Sequence, residues 1–301
     1  MKRKAIILSL ILAIFLTTIS LASCDANRSG QTRVAVLTYH AVLPDEIYEA
    51  GNWADNGVVQ TETMLRMHMQ YLYDNNFTTL TAQQVHDFLF NDYILPSRSV
   101  VLTFDDGYVD NYEIVDPILE EFGFNAILFQ LTVSMARMHP DYCDAQMSDF
   151  EPNRQVRSMC PCQNARLAQN GRWDIASHSH NFHDFVYPYQ RYSQNPPLQA
   201  VIDDLLYSLN FEGIYTKNGF AYPFGYWNQT ALEALEYVGI EFAFTAPQNP
   251  WGYMYRDSDE RNINSLLIPR FMVTSSPGDT LWYDIDFFSD VVRGRFNVTE
   301  D

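Results

Sequence analysis

Histidine is scarce in this chain of 301 residues: there are seven, and none lies beyond His183. Any chemistry needing several imidazoles must therefore draw them from the earlier part of the sequence. Basic residues are also few, with 19 Lys and Arg against 37 Asp and Glu, a net charge of −18. Such a surface repels a phosphate backbone, which excludes nucleic acid as a partner. The acidic balance favours solubility, and it would also attract a glycan that becomes cationic as amines are uncovered. Cysteine is limited to Cys24, Cys143, Cys160 and Cys162. A lone Cys-Pro-Cys pair makes a poor zinc site, so these residues predict a loop stapled by one disulfide, from Cys143 to either Cys160 or Cys162. No internal repeat or low-complexity segment follows the first residues, and the chain reads as alternating strands and helices.

What is present begins with Lys2, Arg3 and Lys4, an apolar stretch from Ala5 to about Leu16, and the small residues that lead to Cys24. Thr17, Thr18 and Ser20 interrupt the apolar run, which favours an export signal over a membrane-spanning anchor. Leu21-Ala22-Ser23-Cys24 resembles a bacterial lipobox. That resemblance implies a lipidated Cys24, a signal at 1–24, a polar tether at 25–32, and an exported protein held at a membrane. Without the three basic residues of the signal, 16 Lys and Arg face the same 37 acids, giving 16 − 37 = −21.

With 47% hydrophobic residues, the remainder, 33–301, can bury a substantial core and is expected to form one catalytic domain. Val34 to Thr38, Val100 to Phe104, Ala126 to Leu131, Trp173 to Ala176, Gly219 to Tyr222, Phe242 to Thr245 and Leu267 to Val273 read as strands. Helices are expected from Glu62 to Tyr73, after a Thr81/Gln84 capping box to Leu89, from Tyr112 to Phe122, around Leu198 to Leu209, and from Asn228 to Gly239. Residues 135–170 read as a loop insertion. Repeated strand-helix units predict an α/β fold with a parallel sheet, compatible with a barrel, in which chemistry gathers where strands end. His40, Asp105 with Asp106, His178, the Pro223-Phe224-Gly225 turn and Arg270 all sit at or near such ends.

Two adjacent carboxylates after an apolar strand can divide labour, one binding a metal and one moving a proton, although Asp-Asp-Gly also serves as an ordinary turn. His178 and His183 supply the imidazoles that would complete a three-ligand set with a carboxylate. His180 reads as solvent-facing or supporting, and His68, His86 and His139 as surface or core residues.

Thr103-Phe104-Asp105-Asp106-Gly107, then Ser177-His178-Ser179 with His183, then Tyr222-Pro223-Phe224-Gly225 resemble the polysaccharide deacetylases of carbohydrate esterase family four. The resemblance implies a distorted (β/α) barrel and a divalent metal, zinc foremost with nickel, cobalt or iron as alternatives. It assigns Asp105 as general base and Asp106, His178 and His183 as metal ligands. The family's acid histidine usually lies near the C-terminus, where this chain has none. Val36-Leu37-Thr38-Tyr39-His40 resembles that strand and histidine moved to the start, the circularly permuted order of exported poly-N-acetylglucosamine deacetylases associated with biofilm matrices. His40 is then the acid. Ala221 stands near the place of the family's base-orienting arginine, and Arg270 could supply that charge instead. Phe224 would lend its backbone N–H to an oxyanion hole, while Tyr222, Tyr226 and Trp227 join it as candidates for contact with sugar rings. The expected activity is removal of N-acetyl groups from an extracellular hexosamine polysaccharide. A peptidoglycan or chitin-type deacetylase and a catalytically silent glycan-binding lipoprotein are the alternatives.

Overall fold

Apolar residues alternate between two faces along each main strand, and this period fixes what can point into a barrel and what must lie under helices. The computed structural model describes residues 33–51, 53, 56–149, 156–183, 196–246, 252–255, 264–274 and 281–295. The expected signal, Cys24 and the tether lie outside the described residues. Among those described, no helix is long and apolar enough to cross a membrane.

In chain order the elements are β1 (Arg33–Tyr39), β2 (Ala41–Leu43), α1 (Asp45–Ala50), β3 (Val59–Thr61), α2 (Glu62–Asp74), β4 (Thr78–Thr79), α3 (Ala82–Phe90) and β5 (Ser99–Asp106). A π-helical turn at Asn111–Val115 leads into α4 (Asp116–Phe122), followed by β6 (Ala126–Gln130), α5 (Thr132–Ala136), α6 (Pro161–Gln169) and β7 (Trp173–Ser177). The series ends with α7 (Leu198–Asn210), β8 (Thr216–Ala221), α8 (Gln229–Val238), β9 (Phe242–Phe244), β10 (Tyr253–Tyr255), β11 (Phe271–Met272) and α9 (Ile285–Val292).

The main sheet runs β10-β1-β5-β6-β7-β8-β9, parallel throughout except for β10. One short segment joins its two edges: Ile268 bridges Phe244 of β9, and Phe271 and Met272 pair with Leu37 and Thr38 of β1. The sheet therefore curls on itself, as expected of a distorted barrel. Leu267 to Val273 is not one continuous strand. Pro269 has no N–H to offer a ladder, and pairing switches from one edge to the other across it.

Val34, Val36, Val101, Ile127, Phe129, Ala176, Ala221 and Phe244 fill the inside of the curl. Their neighbours Ala35, Leu37, Tyr39, Leu102, Phe104, Leu128 and Ile175 form the outer core under the helices. Continuing the same period places Thr38 and His40, Thr103 and Asp105, and His178 on the inner rows. The Thr38 and Thr103 hydroxyls meet there at 3.2 Å.

The Thr81/Gln84 capping box is present at the start of α3, and Gly123 ends α4 in the left-handed conformation, both as the sequence indicates. The expected loop at 135–170 needs correction, because it contains α6, opened by Pro161 and a Cys160/Gln163 capping box, as well as the end of α5. Polar residues along α6 mask its period, but Pro161 at the first helical position was a readable signal. The disulfide joins Cys143 to Cys162, and Cys160 is a buried thiol. The segment before α6 is docked on the loop that follows Asp106, through Val109 N–H to Arg157 O at 2.8 Å and Met159 N–H to Gly107 O at 2.9 Å.

His68 pins the outer core to the end of the chain. Its ring stacks on Phe288 at 4.0 Å between centroids. Nε2 lies 2.7 Å from the Trp282 carbonyl, which can only accept, so Nδ1 accepts from the Tyr39 hydroxyl at 2.9 Å. Burial pushes the His68 pKa down to about 4, with the Trp282 carbonyl opposing weakly. A depressed folded-state pKa stabilises the fold above the unfolded value near 6.5, and that contribution is lost as pH falls through 4. Unfolding free energy should drop by about 3 kcal/mol between pH 7 and pH 4 from this group alone. Urea titrations of the wild type and His68→Gln check this: the variant should show the smaller pH dependence, and parallel curves would refute the assignment.

Candidate active site

At the end of β5, the inward Asp105 is 3% exposed and is held by a guanidinium from the closing segment. Arg270 Nη1 and Nη2 each donate to one oxygen of Asp105 at 2.7 Å, a bidentate pair. Arg270 is itself buried, donates from Nε to Thr245 O at 3.1 Å and from Nη1 to Thr103 Oγ1 at 3.2 Å, and lies over the rings of Phe129 and Phe244. Burial would raise the Asp105 pKa. The charge and hydrogen bonds of Arg270 outweigh it and hold the carboxyl at about 2. Asp105 is thus an anion kept in a dry place by a partner 165 residues away.

Asp106 leaves the strand in a left-handed conformation, φ 71°, which turns its side chain away from the line followed by Asp105. Gly107 follows at φ 74°, and a Cβ there would stand 2.0 Å from Gln130 Oε1, so glycine is required. Gln130, buried at the end of β6, donates to the Asp106 carbonyl at 3.3 Å. Burial, with the nearby Asp106 carboxylate adding to it, pushes the pKa of the Tyr108 hydroxyl up.

Asp106 Oδ1 is buried without a hydrogen-bond partner among the described residues, and it faces His178 Nε2 at 3.6 Å and His183 Nε2 at 3.7 Å. These separations are too long for hydrogen bonds, and the three donor atoms lie within 4.8 Å of one another. His178 donates from Nδ1 to the Ala221 carbonyl at 2.8 Å, which fixes its ring and leaves the Nε2 lone pair free. Burial pushes the His178 pKa down despite the nearby carboxylates, so the ring is neutral. Two imidazole nitrogens and one carboxylate oxygen converging on an unpartnered buried atom fit a divalent transition-metal ion.

His40 follows β1, is 8% exposed and stands near Asp105. Phe224, Tyr226 and Trp227 border the same end of the barrel. The Phe224 ring lies 4.3 Å from that of His183 and 6.5 Å from Tyr226, while Phe224 and Trp227 are 41% and 48% exposed. Gly225, at φ 68°, has the Ala246 backbone 2.0 Å from where a Cβ would stand, so this turn too depends on glycine. Tyr222 corrects the expectation of a sugar-contacting ring. It is 2% exposed and packed with Phe220 in the core between β8 and the helices α7 and α8.

The structure thus brings together His40, Asp105, Asp106, His178, His183, Phe224 and Arg270, and separates Tyr222 from them. His180 bonds Thr132 and packs on Tyr207, consistent with a supporting role, while His86 and His139 lie elsewhere. Gln60, Asn111 and Gln130 also reach this region and carry no local signal in the sequence. Each is a polar residue whose purpose arises only from a contact made in the folded chain.

Comparisons with known proteins agree with this geometry. The chain is 25% identical over 215 residues to the YxkH polysaccharide deacetylase of Bacillus subtilis, covering 71% of this chain and 64% of that protein. It is 24% identical over 200 residues to a poly-β-1,6-N-acetyl-D-glucosamine N-deacetylase of Staphylococcus epidermidis, covering 65% and 61% respectively. It therefore spans somewhat less than two thirds of either relative. A de-N-acetylase from Aggregatibacter actinomycetemcomitans has a similar fold, with a TM-score of 0.60 at 21% identity, over 85% of this chain and 99% of that one. His40 and Arg270 lie outside the stretch that a family model recognises, but the paired aspartates, both histidines and the Phe224 turn lie within it. That stretch, residues 93–243, is half of the sequence and matches the model for polysaccharide deacetylase, so the chain belongs to the polysaccharide deacetylase family.

Proposed function

We propose that this protein is a metal-dependent hydrolase that removes N-acetyl groups from an exported hexosamine polysaccharide, foremost poly-N-acetylglucosamine, and releases acetate. The observation that carries the reading is the Asp106, His178 and His183 trio beside an Asp105 kept anionic by Arg270. The name of the Staphylococcus epidermidis relative favours the β-1,6-linked polymer over peptidoglycan or chitin. The lipobox-like Leu21-Ala22-Ser23-Cys24 supports an exported, membrane-held protein.

Asp106, His178 and His183 would hold the ion, with zinc as the first choice. Once bound, it would supply Lewis acidity toward the acetyl carbonyl and toward water. Asp105, kept ionised by Arg270, accepts the proton of the attacking water. The backbone N–H of Phe224 meets the charge that develops on the acetyl oxygen. His40 gives a proton to the nitrogen as the carbon–nitrogen bond breaks, so that water and amide become acetate and amine. Phe224, Tyr226 and Trp227 offer flat faces to the sugar chain.

The test is acetate release from poly-N-acetylglucosamine, chitin oligomers and peptidoglycan, before and after chelation. Release should be fastest on the first polymer. Chelation should lower it by roughly a hundredfold or more, and added zinc should restore it. Release that persists after complete metal removal would sink the metal-dependent reading, and binding of glycan without any acetate would favour the silent binding protein.

A further inference from the structure

The proposed acid sits at a break in the sheet. β1 ends at Tyr39 and β2 begins at Ala41, so the ladder between β1 and β5 stops one residue before His40. Buried backbone N–H and C=O groups still need partners. At His40 both are supplied by side chains from elsewhere in the chain. Gln60 Oε1 of β3 accepts from the His40 N–H at 3.1 Å, and Asn111 Nδ2 donates to the His40 carbonyl at 3.1 Å. Gln60 and Asn111 are both fully buried. Nothing comparable holds the ring, since His40 Nδ1 has no hydrogen-bond partner among the described residues.

We infer that Gln60 and Asn111 are positioning residues that set the direction of the His40 imidazole by clamping its backbone from both sides. The inference rests on the reading of His40 as the group that protonates the departing amine.

Each clamp residue is tied to another part of the site. Gln60 Nε2 donates to Val273 O at 3.0 Å, three residues beyond Arg270, and Val273 N–H donates to Thr38 O at 2.9 Å. Asn111 stands five residues after Asp106, and its amide also donates to Asp110 Oδ2 at 3.1 Å. That oxygen accepts the Val42 N–H at 2.7 Å. The turn carrying His40 is therefore referenced on one side to the segment bearing Arg270 and on the other to the loop bearing Asp105 and Asp106. Three groups from distant parts of the sequence share one frame, and a small rotation of the His40 backbone, which sets where its Cα–Cβ bond points, cannot occur without leaving a buried polar group unpaired.

The experiment is a pair of double-mutant cycles on the zinc-loaded enzyme, using Gln60→Ala and Asn111→Ala each alone and combined with His40→Ala. Each clamp variant should lower kcat for acetate release by roughly tenfold to a hundredfold with KM and zinc content unchanged. In the His40→Ala background neither should lower kcat further, because the group they orient is gone. Thermal melts establish that each protein is folded, and Gln60→Met, which keeps the length of the side chain without an acceptor for the His40 N–H, and Asn111→Ser replace any alanine variant that is not. A His40→Ala enzyme as fast as the wild type would remove the acid reading on which the inference rests. A slow His40→Ala enzyme with clamp variants that keep wild-type kcat, or whose losses multiply with that of His40→Ala, would overturn the clamp alone.

Discussion

Asp105→Asn should reduce acetate release by roughly a hundredfold to ten-thousandfold while leaving bound zinc near one equivalent per chain. The substitution keeps the shape of the side chain and removes the negative charge and basicity by which it takes the proton. Metal loading should survive because Asp105 supplies none of the three converging atoms, Asp106 Oδ1, His178 Nε2 and His183 Nε2. His183→Ala is the contrasting variant: it removes one of those three atoms and should lose zinc and turnover together. Measuring acetate and metal on the same samples separates the two aspartates. Normal turnover by Asp105→Asn would end its assignment as base, and loss of zinc would mean that the adjacent carboxylates do not divide their work as proposed.

Removing the arginine should have the largest effect on stability. Arg270→Leu leaves the buried Asp105 carboxylate with no guanidinium across it, and breaking a buried pair from one side costs about 3–5 kcal/mol. It also frees the Thr245 carbonyl and the Thr103 hydroxyl from their charged donor. Arg270→Lys should recover only part of the loss, because an ammonium cannot span both carboxylate oxygens and reach Thr245 as well. The double variant Asp105→Asn/Arg270→Leu should be more stable than Arg270→Leu, since it no longer buries an unpaired charge. Urea midpoints of the four proteins test this. A difference of less than about 1 kcal/mol between wild type and Arg270→Leu would show that the pair is dispensable.

Much of the site was legible because it lies where apolar runs stop. His40, Asp105 and His178 each stand at or just past the end of an apolar run, so their gathering at one end of the sheet was readable, while their shared inward face emerges only once the strands are placed beside one another. Arg270 was readable as a spare charge near a strand end, but not as a bidentate partner, because that contact forms only when the segment after β9 reaches across to β1. Gln60 and Asn111 gave no local signal. One is a polar residue in a three-residue strand and the other opens a π-helical turn, and only the tertiary structure shows both aimed at one backbone. Tyr222 misled for the opposite reason: it borders the Phe224 turn in sequence, while the strand period turns its ring toward α7 and α8. The helix at Pro161–Gln169 was hidden by polar composition, although its capping pattern was in plain view.

The stretch from Ile268 to Met272 is the seam of the barrel, and it carries the counter-charge of the proposed base. A molecule with every strand through β9 in place but the seam still open would have Asp105 without Arg270, and burial would then favour its protonated, inert form. Hydrolytic competence would therefore arrive with the last stitch of the sheet. Catalysis through Asp105 would then double as a report that assembly is finished, and damage at the seam should silence acetate release before it disturbs the proposed metal ligands Asp106, His178 and His183.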